Sequence, residues 1–378
     1  MRAPRERPAA KIACERCRRR SRLLALLSAR LDYCALKQGG LDEALALDDD
    51  RLMEAIGGRR GETLRLAYAR FDPDERVCRS DHESVCRHQR SYPRLLPHPA
   101  GPSMLFVAGG AARLFALASA PVVAITGSAR ASDYGIETAR AIARGLSASG
   151  VTVTSTLTDG IAAGAQAGAL ETGAGAIAVM GGGLDVSCRA RSRSLLTRVL
   201  GAGCAISELP CGCTGRRWGN IAAERIVAGL ADLTLLVEAE SEPDELDCIQ
   251  VAQGLERLVA AVPGRVSSPL SVGPHALLRA GAPLVRDPED VLELLGGRPA
   301  GSQGVADPAV APARTALPPR LETILALVSS GNDTPDRLEE HFRDPGDLLL
   351  ALSELEVAGL LVRGDGGRYM PRQGVDAG

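Results

Sequence analysis

The sequence predicts an α/β fold: a Rossmann-like, doubly wound, mostly parallel sheet, with a small helical domain before it and a winged helix after it. Three observations carry that prediction. Between residues 121 and 296, short apolar runs alternate with helical stretches of about ten to fifteen residues, the pattern of consecutive βα units. The run Pro121–Thr126 breaks at Gly127-Ser128 just before an amphipathic stretch, so a buried strand feeds a helix N-terminus. Beyond a segment rich in Pro, Ala and Gly, three helical stretches precede two short runs joined through Gly364-Asp-Gly-Gly367.

Residues 1–75 read as the helical domain, with helices at Arg22–Leu31, Leu41–Ala46 and Asp50–Ile56, the last stopped by Gly57-Gly58. Residues 76–297 form the core. Its lead-in is irregular, with Pro93, Pro97, Pro99 and Pro102, and ends in the apolar run Met104–Val107. Strands are predicted at Val122–Thr126, Val151–Ser155, Ala176–Met180, Cys204–Ser207, Leu233–Val237 and Val259–Val262. Helices between them are predicted at Ile136–Ser149, Ile161–Thr172, Ser192–Leu200, Ile221–Leu230 and Leu246–Leu255. Residues 298–319 read as a flexible linker. Residues 320–372 form the winged helix, with helices Arg320–Ser329, Pro335–His341 and Gly346–Ala358 and a hairpin around Leu360–Arg363 and Arg368–Met370.

The net charge of −2 over 378 residues conceals an uneven distribution. Residues 1–30 carry ten basic and two acidic side chains, whereas Glu238–Asp247 holds six acids in ten positions. A basic N-terminus attracts nucleic acid or forms a solvated helix face. No apolar run is long enough for a transmembrane helix, and residues 1–30 lack the apolar stretch of a signal peptide. A cytoplasmic location is the expectation, with the ten cysteines mostly thiols. There is no Ser-His-Asp set, HExxH, P-loop or paired catalytic carboxylates, and the histidines at 82, 88, 98, 275 and 341 are scattered. A non-enzymatic protein without a cofactor is expected.

Candidate ligand contacts lie where the strands end. Gly127 lets a backbone come close, and Ser128 and Arg130 are the best phosphate ligands, Arg130 offering a planar fork; the alternative is a strand–helix turn with an exposed Arg. Ser155, Gly160, Gly181 and Gly183 mark the ends of the next two strands. Asp185 and Glu238 either accept hydrogen bonds from a base or ribose or cap the turns that follow. Arg225 is a second phosphate contact or the ion-pair partner of Glu224. The basic runs Arg189, Arg191, Arg193, Arg216 and Arg217 are further contacts or a solvated face. Trp218 and Tyr134 are the main candidates for base stacking. Cys14-Glu-Arg-Cys17 has metal-knuckle spacing, with Cys78, Cys86, His82 and His88 as candidates to complete it. Seven residues separate Cys78 from Cys86, however, outside the usual short loops, and no metal is expected.

From about Arg87 to Pro371 the chain resembles the DNA-processing protein A (DprA/Smf) family. The resemblance begins with Tyr92-Pro93-Arg-Leu-Leu96 and with Gly127-Ser-Ala-Arg130 followed by Tyr134-Gly135. It continues through Ser155–Leu170, similar to the family's "SGLA.GID..AH.GAL", and Ile177-Ala-Val-Met-Gly181-Gly-Gly-Leu-Asp185, similar to "IAV.G.GLD". Ser207-Glu-Leu-Pro210, Leu236-Val-Glu238-Ala239, Ala261-Val-Pro263-Gly264 and Gly273–Ala282 complete it in order. The resemblance implies non-catalytic binding of single-stranded DNA in transformation and recombination, a homodimer, and contact with a RecA-type recombinase.

The departures are specific. Pro243–Ile249 puts acids where the family has a "SGSL.TA" loop. In the counterpart of "FP.RNR", Asn220–Arg225, Ala223 and Glu224 replace Arg and Asn, and Arg225 alone survives. Ala162 and Gln166 stand at the Asp and His of "GID..AH". Two other readings follow: a paralogue that has become a protein-interaction module, or a nucleotide-binding relative of phosphoribohydrolases, whose "PGGxGTxxE" motif is missing. The third helix of the tail carries Asp347, Glu354 and Glu356 and no Lys or Arg, so protein contact suits it better than duplex DNA.

Overall fold

The computed structural model describes residues 13–37, 40–58, 61–70, 82–93, 101–185, 190–214, 217–240, 243–296, 318–329, 334–339, 342, 345–358, 360–363 and 368–371. Of the residues singled out above, Cys78, Leu96, Pro97, His98, Pro99, Arg189, Arg216, His341, the hairpin tip Gly364–Gly367 and the 298–317 part of the linker lie outside them.

Two compact units are present, Met1–Pro299 and Ala300–Gly378. The first opens with helices α1 (Glu15–Cys34), α2 (Gly40–Ala46), α3 (Asp49–Gly57) and α4 (Gly61–Ala69). Leu23, Leu24, Leu27 and Leu31 form the buried stripe of α1, at helical spacing. Trp218, Leu209 and Ala222 from the core domain pack into that stripe. The predicted domain line at residue 75 therefore runs through one shared hydrophobic cluster.

Next come β1 (Glu83–Cys86), β2 (Met104–Ala108), α5 (Ala111–Leu117), β3 (Val122–Thr126), α6 (Asp133–Ala148), β4 (Thr152–Thr156), α7 (Ile161–Ala169) and β5 (Ala176–Val179). They are followed by α8 (Ala190–Ala202), β6 (Cys204–Ser207), α9 (Arg217–Leu230), β7 (Leu233–Leu236), α10 (Pro243–Gly254), β8 (Leu258–Ala261), α11 (Val272–Arg279) and α12 (Pro288–Leu294). The eight strands make one sheet in the order β1-β2-β6-β5-β4-β3-β7-β8. From β6 to β8 all pairings are parallel, while β1 and β2 add an antiparallel edge.

Strand residues alternate between two covered faces, which is why the strands read as continuous apolar runs. Val122 and Ala124 point into the cluster with Ile226, Val227 and Ile249 of α9 and α10. Val123 and Ile125 point the other way, onto Ala139, Ile142, Leu146 and Ala165 of α6 and α7. Chain order reverses beside β3, whose neighbours are β4 and β7. In open α/β sheets a ligand crevice lies at such a reversal, outside the carboxyl ends of the strands.

The second unit contains α13 (Pro319–Ser329), α14 (Pro335–Glu339), α15 (Pro345–Val357) and an antiparallel hairpin of β9 (Leu361–Arg363) and β10 (Tyr369–Pro371). Ile324, Leu338, Leu352, Leu355 and Tyr369 form its core. Arg320 donates to Asp347 at 2.8 Å and to both carboxylate oxygens of Glu354 at 2.5 and 2.7 Å.

Candidate nucleic-acid interface at the strand ends

The end of β3 is held by backbone approach. A Cβ at Gly127 would lie 2.4 Å from the Glu238 carbonyl oxygen, so only glycine lets the β3 and β7 ends meet this closely. Gly160, at φ +70°, plays the same part between the β4 end and the β3 loop, where a Cβ would lie 2.3 Å from the Ser128 carbonyl oxygen. Ser128 is consequently buried, and its N–H donates to the Glu238 carbonyl at 2.6 Å. Its carbonyl accepts from Ile161 N–H at 3.2 Å, and its hydroxyl oxygen accepts from Arg130 N–H at 3.1 Å. The amides expected to cradle a phosphate at Ser128 and Arg130 are thus spent inside the protein. Only the exposed side chain of Arg130 is offered outward, and it pairs with no carboxylate among the described residues.

Glu238, expected to face a base or ribose, is buried. Its carboxylate accepts from Ser132 N–H at 2.8 Å and from the Ser132 hydroxyl at 2.7 Å. Ser132 in turn caps α6 by accepting from Gly135 N–H at 3.1 Å. The residue acts as an anchor for the α6 N-terminus. Ser155 is buried too, its hydroxyl donating to the Ile125 carbonyl at 2.7 Å, so it joins β4 to β3 rather than meeting a ligand. Asp185 is exposed, and both its oxygens accept from Gly212 N–H, at 2.8 and 3.1 Å. Gly183 N–H donates to the Cys213 carbonyl at 2.9 Å.

Arg225 is placed differently from the expectation. It lies inside the protein, 4% exposed, ion-paired with Glu208 rather than with Glu224 or a phosphate. Its charge is neutralised within the fold, and its Nε and Nη1 atoms have no hydrogen-bond partner among the described residues. Trp218 is also withdrawn: fully buried, it donates its indole N–H to Ser28 Oγ at 2.8 Å and cannot stack on a base. Tyr134, in the first turn of α6, stays 40% exposed. Arg193 and Arg217 are exposed on α8 and α9.

A cavity of about 230 Å³ opens at the β4 and β5 ends, lined by Thr156, Thr158, Gly181, Gly182, Asn220 and Glu224. That is smaller than the roughly 300–1,000 Å³ of small-molecule pockets, which disfavours a nucleotide-sized ligand held inside it. Behind it runs a polar chain that the sequence did not reveal. The Thr126 hydroxyl, the Cys248 thiol, the Glu224 carboxyl and the Thr156 hydroxyl neighbour one another in that order. Loss of solvent raises the Glu224 carboxyl to about 7, and Asp247 adds to the effect. Burial, then Glu224, holds the Cys248 thiol well above its ordinary range. Glu224 was visible as a departure at the second-to-last position of Asn220–Arg225; its pairing with Cys248 was not.

The profile of the family described as DNA recombination-mediator protein A matches residues 83–296. The putative DNA processing protein DprA of Mycobacterium tuberculosis is 33% identical over 278 residues, covering 71% of this chain and 69% of that protein. Protein Smf of Escherichia coli is 34% identical over 245 residues, 62% of this chain and 64% of its own. The crystal structure of Streptococcus pneumoniae DprA superposes with a TM-score of 0.60 at 26% identity, covering 75% of this chain and 98% of that one. The Helicobacter pylori protein, whose structure concerns its single-stranded DNA binding mode, gives 0.50 at 21% identity over 57% of this chain and 95% of its own, a likeness of fold. No helix among the described residues is long and apolar enough to cross a membrane.

Proposed function

The chain belongs to the DNA recombination-mediator protein A family, and from that premise we propose that it binds single-stranded DNA, without catalysis, across the ends of β3, β4 and β5. Arg130 carries the reading. It is an exposed guanidinium next to the strand reversal, on a loop fixed by Gly127, Ser128 and Gly160, with the exposed ring of Tyr134 four residues on, in the first turn of α6. A fixed fork for phosphate beside an aromatic face is the minimal unit of sequence-tolerant strand binding.

The finer parts of the proposal follow the family resemblance. The protein is a cytoplasmic homodimer with a Rossmann-like core, and it protects the strand and passes it to a RecA-type recombinase during DNA uptake and recombination. The C-terminal unit is a winged helix used for protein contact. Its α15 presents the exposed Leu349 and Leu350, and two of its acids, Asp347 and Glu354, are already matched to Arg320.

The test is binding of a labelled single-stranded oligonucleotide across a salt series, wild type beside Arg130→Ala. Each phosphate contact adds about 0.7 to the log–log slope, and the variant should lose about that much. Absence of binding at low salt would sink the reading. One observation favours the second reading, an interaction module without DNA: the Glu224 carboxyl lines the very cavity at the strand ends. If that carboxylate repels the strand, affinity should be higher at pH 6 than at pH 8 and lose this dependence in Glu224→Gln.

A further inference from the structure

Cys14, Cys17, Cys86 and His88 come together at the corner where α1 meets β1, with one ligand atom of each within 4.8 Å of all the others. His88 Nδ1 lies 3.3 Å from both Cys14 Sγ and Cys17 Sγ. Donors bound to zinc at about 2.3 Å for sulfur and about 2.0 Å for nitrogen stand about 3.5–3.8 Å apart at the corners of a tetrahedron. The cluster already has nearly that size. All three cysteines are free thiols.

The surrounding backbone fixes the set before any ion arrives. Cys14 is the N-cap of α1 and Cys17 lies in its first turn, so the helix start holds both thiols on one corner. Cys86 ends β1, and the turn that follows is tied by Gln89: its side-chain oxygen accepts from Cys86 N–H at 3.0 Å, and its own N–H donates to the Cys86 carbonyl at 2.9 Å. That turn carries His88 to the cysteines. Cys14 N–H donates to Cys86 Sγ at 3.5 Å, an N–H···S bond of the kind that orients ligands from outside a metal's own shell. Ala13 N–H donates to Ser84 Oγ at 2.9 Å, so the two segments are already registered beside the cluster.

We propose that these four side chains form a structural zinc site of Cys₃His type, which staples the N-terminal helical region to the edge of the sheet. Three sulfurs and one imidazole select a soft, tetrahedral ion, and four protein ligands leave no position open for substrate. Cys17 and His88 are 71 residues apart, so the ion closes a long loop. The staple reaches the strand ends through α1 itself. Ser28 of α1 accepts from the Trp218 indole, and Asp32 accepts from Trp218 N–H at 3.0 Å. Trp218 lies in the first turn of α9, the helix that sets Asn220 and Glu224 beside the cavity. The spacing Cys86-Arg-His88, with a single residue between ligands, is shorter than the usual knuckle loop. The sequence offered Cys78 and His82 beside Cys86 and His88; His82 lies 4.0 Å from Cys211 Sγ, outside the cluster.

The full chain, purified without chelator or polyhistidine tag, is assayed by elemental analysis beside Cys86→Ser, His88→Ala and the control Cys34→Ser. The expected result is one zinc per chain in wild type and Cys34→Ser, near-complete loss in Cys86→Ser, and at least tenfold weaker retention in His88→Ala. A folded Cys86→Ser that still carries one zinc would overturn the site, as would reduced wild type that neither contains nor takes up zinc. If Cys86→Ser does not fold, X-ray absorption on zinc-loaded wild type decides: three sulfurs and one nitrogen support the assignment, and any other set rejects it.

Discussion

Three acids stand at one end of the sheet, and what surrounds each decides its behaviour. On the β3–β7 side, Glu238 is buried but meets a backbone N–H and a hydroxyl arranged for it, and it organises the α6 N-terminus. On the β4–β5 side, Glu224 neighbours the Cys248 thiol, the Thr156 hydroxyl and the like charge of Asp247, and loss of solvent raises it to about 7. Glu208, further along on the loop after β6, is matched by the buried guanidinium of Arg225. The lesson is that depth alone does not set an acid's role. A carboxylate with strong donors becomes scaffold, whereas one with weak donors keeps its proton near neutrality and becomes responsive.

The largest break in that comparison is removal of a matched charge. Arg225→Ala leaves Glu208 buried and unpaired, and should destabilise the protein by about 3–5 kcal/mol. Urea unfolding near neutral pH measures it. A loss under 1 kcal/mol would mean that Glu208 finds water or another donor, and that its pairing is incidental.

Glu224 sharpens the comparison through pH. Its carboxyl is raised in the folded state to about 7 from the ordinary 4.5, so the folded protein binds the proton more tightly than the unfolded chain. The resulting stabilisation is full below about pH 4.5 and is lost as pH rises through 7. Glu224→Gln removes this slope, so the variant should gain on wild type by up to ~3 kcal/mol between those limits. Parallel stability–pH curves for the two proteins would show that the carboxyl is solvated in solution.

How far the sequence could be read follows the same division between backbone pattern and side-chain partnership. The parallel strands were legible because both their faces are covered: Val122–Thr126 and Cys204–Ser207 are as predicted, two others end one residue earlier, and two are shifted by one residue. β1 was not, since Glu83-Ser-Val-Cys86 is four residues long with two polar side chains, and its pairing with β2 is a tertiary event. α4, α5, α11 and α12 were missed because they are short, seven to nine residues each. At the site, Gly127 and Gly160 were found because their backbone demands are local. The partners of Ser128 and Glu238 were not, because they sit on different strand ends: Ser132 and Glu238, for example, are 106 residues apart. Nor was Glu208 as the partner of Arg225, since the two are 17 residues apart with no helical or strand periodicity that would pair them. Cys14, Cys17, Cys86 and His88 were all among the metal candidates, but which of the candidates meet was hidden for the same reason, the two halves lying at opposite ends of a long loop.

The smallest expected effect tests the scaffold side of the comparison. In Glu238→Gln the amide keeps one acceptor oxygen and replaces the other with a donor. The oxygen can still accept from Ser132 N–H, but the new NH₂ then faces the Ser132 hydroxyl. That hydroxyl must turn to accept while its oxygen also caps Gly135 N–H. One hydrogen bond is therefore weakened and none is left as a buried charge, so the cost should be about 1 kcal/mol. Urea midpoints of the two proteins at one pH read it directly. A loss of 3 kcal/mol or more would mean that the negative charge itself, acting on the α6 N-terminus, holds the Arg130 loop in place; Arg130-dependent DNA binding should then fall in the same variant.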